Sequence, residues 1–175
     1  MVLVPAANDE LEDIAALINA AYRGEVGWTT ETDYLTGERI NAAALRAQCA
    51  ARPDGLLLAL REDGHGAALG CVWMEPLGEG EWRLGLLTVR PDRQDAKVGR
   101  SLLAEAEAAA SARGARRVSI TVVNIREALI AWYERRGFVR TGVVEPFPYE
   151  DQRFGAPLRG DLSFVVMEKT LKWRE

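Results

Sequence analysis

The stretch Val89-Arg90-Pro91-Asp92-Arg93-Gln94-Asp95-Ala96-Lys97-Val98-Gly99 has the residue types and spacing of an anion site. An apolar strand ending at Val89 runs through a charged turn, carrying Pro91 and Gln94, into a helix that opens near Lys97 and Gly99. Such a junction leaves a fan of backbone N–H groups without acceptors, and the positive end of the helix dipole adds to their pull on a phosphate or another anion. Each dipole interaction is worth only about 0.3–1 kcal/mol, reaching ~2 kcal/mol when partly buried, so the turn alone names no ligand. Other chemistries are poorly supplied. The one histidine, His65, sits in Asp-Gly-His-Gly, a hairpin-turn pattern, and offers no obvious base to a Ser or Cys nucleophile. Cys49 and Cys71 lie far apart without a metal-ligand spacing, so no metal is expected. Cys71 falls in a strand pattern and Cys49 on a helix, and both read as core.

The elements that must position the junction follow from periodicity. Leu3-Val4 begins a short strand. Asn8 and Asp9 can cap a helix whose stripe is Leu11, Ile14, Ala15, Leu17, Ile18 and Ala21, ended by Gly24. Gly24 to Arg39 has no clean period and reads as a long loop. Asn41 caps a second helix that Pro53-Asp54-Gly55 stops. Leu56–Leu60, Ala67–Met74 and Trp82–Val89 read as a three-strand meander. The alanine-rich helix after Gly99 closes at Arg113-Gly114 and leads to a strand at Val118–Val123, parallel to the preceding one if the crossover is right-handed. A helix over Ile125–Arg136 follows, then strands at Phe138–Val144 and Leu162–Met167 around the loop Glu145–Asp161. The expectation is one α+β domain over residues 1–175, a mixed, mostly antiparallel sheet of about six to seven strands with helices on both faces.

Composition narrows the function classes. With 22 Lys and Arg against 26 Asp and Glu, the net charge of −4 argues against a nucleic-acid surface. No run approaches the ~18 apolar residues of a membrane span, and the N-terminus turns acidic too soon for a signal peptide, so a cytoplasmic protein without a membrane partner is expected.

With that element order, two stretches resemble motifs of the GNAT superfamily of N-acetyltransferases. The family's Q/R-x-x-G-x-G/A falls on Gln94-Asp95-Ala96-Lys97-Val98-Gly99, and its Y-x-x-x-G-F on Tyr133-Glu134-Arg135-Arg136-Gly137-Phe138, after a strand end bearing Asn124. The middle glycine is replaced by Lys97, and Asp95 stands where many members carry another glycine. A side chain forced into the left-handed region there costs roughly 1–2 kcal/mol. The resemblance implies a GNAT fold with a splayed parallel strand pair and acetyl-CoA as cosubstrate. Its pyrophosphate would lie on the backbone of residues 94–101, including Arg100 and Ser101, and its pantetheine arm along Leu87, Thr88 and Val89. The main-chain N–H of Leu87 or Val89 would polarise the thioester carbonyl.

The implied reaction is acetyl transfer to a primary amine, a small cationic amine or a peptide amine, by direct attack in a ternary complex. The rival reading is a catalytically silent CoA-binding regulatory module. Tyr133 is the candidate acid for the departing thiolate, although at i+4 from Leu129 it also fits a packed helix face. Asn124 either bonds the cofactor amide, bridges to Tyr133, or caps the helix starting at Ile125. The base is open among Glu31, Glu75, Glu81 and water. Trp28, Glu31, Tyr34 and Arg39 in the first loop could shape an acceptor site in which aromatics beside carboxylates hold a cation, with Glu75 near the sheet end. Phe147, Tyr149, Glu150 and Asp151 in the second loop could close the same cleft. A homodimer is compatible with this reading.

Overall fold

The computed structural model describes residues 1–172, the side chains of Asp95, Ala96 and Phe154 excepted. In chain order the elements are β1 (Val2–Pro5), α1 (Leu11–Arg23), β2 (Leu35–Thr36), α2 (Ala42–Ala51), β3 (Leu56–Arg61), β4 (Gly70–Gly78), β5 (Glu81–Val89), α3 (Val98–Ser111), β6 (Arg117–Val123), α4 (Glu127–Glu134), β7 (Val139–Pro146), β8 (Ala156–Pro157) and β9 (Ser163–Thr170). Seven strands form one sheet in the order β1-β3-β4-β5-β6-β9-β7, and β5–β6 is its parallel pair. The α+β mixed sheet expected from the periodicity is therefore present.

Strand alternation sends successive side chains to opposite faces, and the helices divide accordingly. Leu58, Leu60, Val72 and Met74 pack with Leu102, Leu103 and Ala106 of α3 and Ile130 of α4. Leu57, Ala59, Cys71 and Trp73 pack with Ile14 and Ile18 of α1 and Leu45 of α2 on the other face. Cys71 is wholly buried, and burial pushes its thiol up to about 12, which leaves it inert as a nucleophile.

The parallel pair is short. Only Glu81–Arg83 match Arg117–Ser119; from Leu84 onward β5 stays with β4 while β6 stays with β9. A bulge accompanies the parting. Cys71 faces Thr88 and Trp73 faces Gly85, so Leu86 and Leu87 together oppose Val72, with Leu86 at φ 47°. A bulged strand bends and twists locally, and here it carries the end of β5 away from β6 toward α3.

Several local expectations shift. The α1 entry is closed by Glu10, whose carboxylate accepts from the Ala7 N–H at 2.8 Å, rather than by Asn8 or Asp9. Asn41 does cap α2, accepting from Ala44 N–H at 2.9 Å. β4 starts later than Ala67 and runs to Gly78, because the reversal is confined to Gly78-Glu79-Gly80, all at positive φ. The two long loops pair with each other: β2 and β8 form a two-stranded ribbon, with Tyr34, Leu35, Phe147 and Leu162 in a small core of their own.

Candidate active site

Two cavities open where β5 and β6 part. The first, about 300 Å³, lies between the end of β5, the start of α3 and α4, and includes Leu87, Val89, Gln94, Lys97, Gly99, Arg100, Trp132 and Arg136 in its walls. Its floor is the strand-to-helix junction. Pro91–Ala96 form a short 3-10 turn, Lys97 takes a left-handed conformation at φ 61°, and α3 begins at Val98. The first N–H groups of α3 thus stand at the cavity, as a helix N-terminus requires. Gln94 is a staple rather than a loose arm. Its Oε1 accepts from the Trp28 N–H at 3.0 Å, and its Nε2 donates to Thr29 Oγ1 at 2.9 Å and to the Val89 carbonyl at 3.3 Å. Gly27, at φ 100°, permits this closure, since a Cβ there would lie 2.8 Å from Gln94 Oε1.

Cations gather at the same cavity. The Arg136 guanidinium lies 3.5 Å over the Trp132 ring and donates to the Trp132 carbonyl at 2.7 Å. Its Nε is buried without a hydrogen-bond partner. Burial, then Arg100 and Arg135, lower its pKa. A buried donor facing like charges is costly unless an anion answers it.

The second cavity, about 290 Å³, lies between the splayed strands, with Arg39, Arg83, Glu145, Phe147 and Phe164 among its walls. Tyr22, Leu87, Arg126, Leu129 and Tyr133 line both cavities. Tyr133 is held by edge-on contacts to Trp132 and Phe138, and α4 stops behind it at Gly137, whose φ of 88° suits glycine. Burial, and secondarily Tyr22, push its hydroxyl well above the ordinary tyrosine range. Tyr22 donates its hydroxyl to the Leu87 carbonyl at 3.3 Å and is likewise raised by burial. Beneath them Glu31 is clamped by Arg23 and by Arg126, the latter at 3.3 Å, while Arg126 also donates to the Thr29 carbonyl at 2.8 Å.

The expected site residues divide on this geometry. Leu87, Val89, Gln94, Lys97, Gly99 and Arg100 meet at the first cavity with Tyr133. The side chains of Asp95 and Ala96 lie outside the described residues. Val98 is buried in the core, and Ser101 lies outside the cavity walls, its N–H already donated within α3 to the Lys97 carbonyl at 3.1 Å. Thr88 turns inward, 1% exposed, donating to the Leu86 carbonyl, so any role in binding falls to its main chain. Asn124 does not cap α4 and is not among the walls of the two cavities. Its Nδ2 donates to the Asp161 carbonyl at 2.9 Å and its Oδ1 accepts from Ser163 N–H at 3.0 Å, which ties β6 to the segment entering β9.

The acceptor residues move most. Trp28 lines the first cavity, its ring 6.5 Å from Trp132. Tyr34 is buried in the ribbon core with its hydroxyl unpartnered, raised by burial and then by Glu31. Glu31 lines the second cavity, but its two arginines occupy it, so it is neither a ready base nor an open cation site. Glu75 sits in an adjoining cavity that shares Arg39 and Arg83 with the second, ion-paired to Arg52 at 3.5 Å. Glu81 bonds Arg117 and Ser119 where the parallel strands still pair. The reading from sequence missed Tyr22, Arg126, Arg136, Arg83 and Glu145. Tyr22 offered one signal, lying four residues after Ile18 on the apolar stripe; the isolated charges offered none.

Residues 11–138 match the Acetyltransferase (GNAT) family. The chain belongs to that family. Among solved structures, the ribosomal-protein-alanine N-acetyltransferase of Brucella melitensis aligns over 98% of this chain and 100% of its own, with TM-score 0.69 and 18% identity. The ribosomal-protein-S18-alanine N-acetyltransferase of Escherichia coli aligns over 99% and 96%, at 0.68 and 16%. A GNAT family acetyltransferase from Elizabethkingia anophelis, solved with acetyl-CoA bound, aligns over 73% and 82%, at 0.60 and 17%. At these identities the likeness is one of fold. No curated protein matches in sequence.

The GNAT site suits an anionic acyl carrier on its own chemistry: a helix N-terminus, Lys97 and Arg100 beside it, and a buried Arg136 Nε lacking an acceptor. Among the described residues no cluster of His, Cys, Asp or Glu could hold a metal, and no helix is long and apolar enough to cross a membrane.

Proposed function

We propose that this GNAT acetyltransferase moves an acetyl group from acetyl-CoA to a primary amine by direct attack in a ternary complex, the acceptor being a small molecule or a peptide amine. The observation that supports this reading is that Tyr133, whose hydroxyl can give a proton, is among the residues that line both cavities. When bound, acetyl-CoA supplies the thioester carbon that the amine attacks. The edge of β5 beyond Arg83, which has no β6 partner, takes the pantetheine arm as an added strand. The α3 N-terminus with Lys97, Arg100 and Arg136 holds the phosphates. Placing amine and thioester side by side supplies much of the barrier reduction.

Two proton movements remain. Tyr133 gives its proton to the leaving sulfur; a tyrosine hydroxyl holds that proton throughout the neutral range, and burial raises its pKa further. Such acid help is typically worth ~10²–10⁴-fold. The amine must attack as the neutral base. Arg39, Arg83 and Arg126 around the second cavity lower the pKa of an ammonium brought among them, so water can take its proton without a dedicated carboxylate base.

Isothermal titration with acetyl-CoA tests the binding half, and saturable binding below millimolar concentration is expected. Thiol release measured with and without a panel of amines tests the transfer half. Release that requires an amine supports the enzyme; binding with no amine-dependent release favours the silent CoA-binding module.

A further inference from the structure

Resting on acetyl transfer as proposed above, we infer that the acceptor is a small amine that carries a carboxylate in the same molecule, and that Arg83 is the residue selecting it. The charge balance of the second cavity motivates this. Arg39, Arg83 and Arg126 stand in its walls with Glu31 and Glu145, and Glu31 is already clamped by Arg126 and by Arg23 behind it. Among the described residues its walls thus carry three guanidiniums to two carboxylates, with Arg23 a fourth behind Glu31. A purely cationic acceptor meets net repulsion there, whereas an anion is attracted.

Arg83 is the guanidinium with capacity to spare. Its Nη2 donates to Glu145 at 3.0 Å, while its Nε is buried without a partner. Glu145 is itself part-exposed, so that pair can rearrange at little cost. A planar guanidinium fork matches a carboxylate by paired N–H donors. Position agrees with this role: Arg83 is the last β5 residue paired to β6, at the root of the splay, with Leu87 and Tyr133 further along the same cavity. A carboxylate held at Arg83 therefore keeps the amine of the same molecule inside the cavity that Leu87 and Tyr133 also line. The cavity volume of about 290 Å³ and the apolar walls Leu35, Phe147 and Phe164 suit a free amino acid with an apolar side chain.

The test compares acetylation of leucine and phenylalanine with their amides and with isopentylamine and phenethylamine, each rate expressed per neutral amine. Leucine and phenylalanine are expected to exceed their uncharged counterparts in kcat/KM by about 10-fold or more, the scale of one charge-assisted hydrogen bond. Arg83→Gln should reduce that ratio about 10-fold, and Arg83→Lys, which restores the charge without the fork, should recover part of it. Equal or better use of the amides or simple amines by the parent enzyme, or an unchanged ratio in Arg83→Gln, overturns the inference while leaving acetyl transfer standing. If no amine in any arm promotes thiol release, the transfer reading falls and this inference with it.

Discussion

The cavity at the α3 N-terminus draws its walls from three stretches, Tyr22 to Thr29, Leu87 to Arg100 and Arg126 to Arg136; the cavity across Tyr133 adds Arg39, Arg83, Thr121, Glu145 and Phe164, all from outside those stretches. On the first side the α3 N-terminus presents backbone N–H groups, with Lys97, Arg100 and Arg136 adding charge beside them, so local conformation carries much of the site. On the second side the binding groups are side chains held by long-range ion pairs, so identity decides what is bound.

The contrast can be broken at the ion pairs first. Glu31, Arg23 and Arg126 are each about nine-tenths buried, and removing the shared carboxylate leaves two guanidiniums uncompensated. Glu31→Gln is expected to cost about 3–5 kcal/mol, read as a shifted midpoint in urea unfolding. A loss below the error of that measurement would mean that the triad is no strut. On the cofactor side the largest single effect should come from Trp28. Trp28→Ala should weaken acetyl-CoA binding by about 3–10-fold through lost aromatic packing, without raising the acceptor KM. Titration calorimetry and initial rates separate the two, and an acceptor effect alone would return Trp28 to the amine site. The smallest effect is conformational. Lys97→Gly should stabilise the fold by about 1 kcal/mol by relieving the left-handed residue, whereas Lys97→Ala should not. Equal responses of the two variants in thermal unfolding would show that φ is not the source.

The same contrast explains what could be read from the residues alone. The strand–turn–helix at Val89–Gly99, the parallel crossover and the tyrosine before Gly137-Phe138 are local patterns, and all were legible. The β2–β8 ribbon was not: two residues on each side, separated by more than a hundred positions, have no period to detect. Asn124 looked like a cap because Asn before a helix commonly is one; its partners at Asp161 and Ser163 come from the far side of the second loop. The Glu31–Arg126 pair has no sequence signal, since nothing in either neighbourhood tells that the other lies across the fold. Trp28 reads as an acceptor residue because Gly24–Arg39 shows no internal break in the sequence, whereas Gln94 pins the first part of that loop to the first cavity.

pH adds a check with a defined sign. The raised Tyr133 keeps its proton until well above the ordinary tyrosine value near ~10, while the acceptor amine loses its proton as pH rises. Turnover should therefore climb through neutral pH with no falling limb attributable to the acid below that value. A falling limb near neutrality that disappears in Tyr133→Phe would contradict the raised pKa.

The most direct test of the central claim, that chemistry happens where the two cavities meet at Tyr133, is amine-dependent thiol release by Tyr133→Phe alongside acetyl-CoA titration of the same variant. Turnover reduced by ~10-fold or more, with affinity for acetyl-CoA little changed, is the result expected of a lost general acid. Turnover equal to that of the parent enzyme would remove Tyr133 from the mechanism and leave it a packing residue between two cavities.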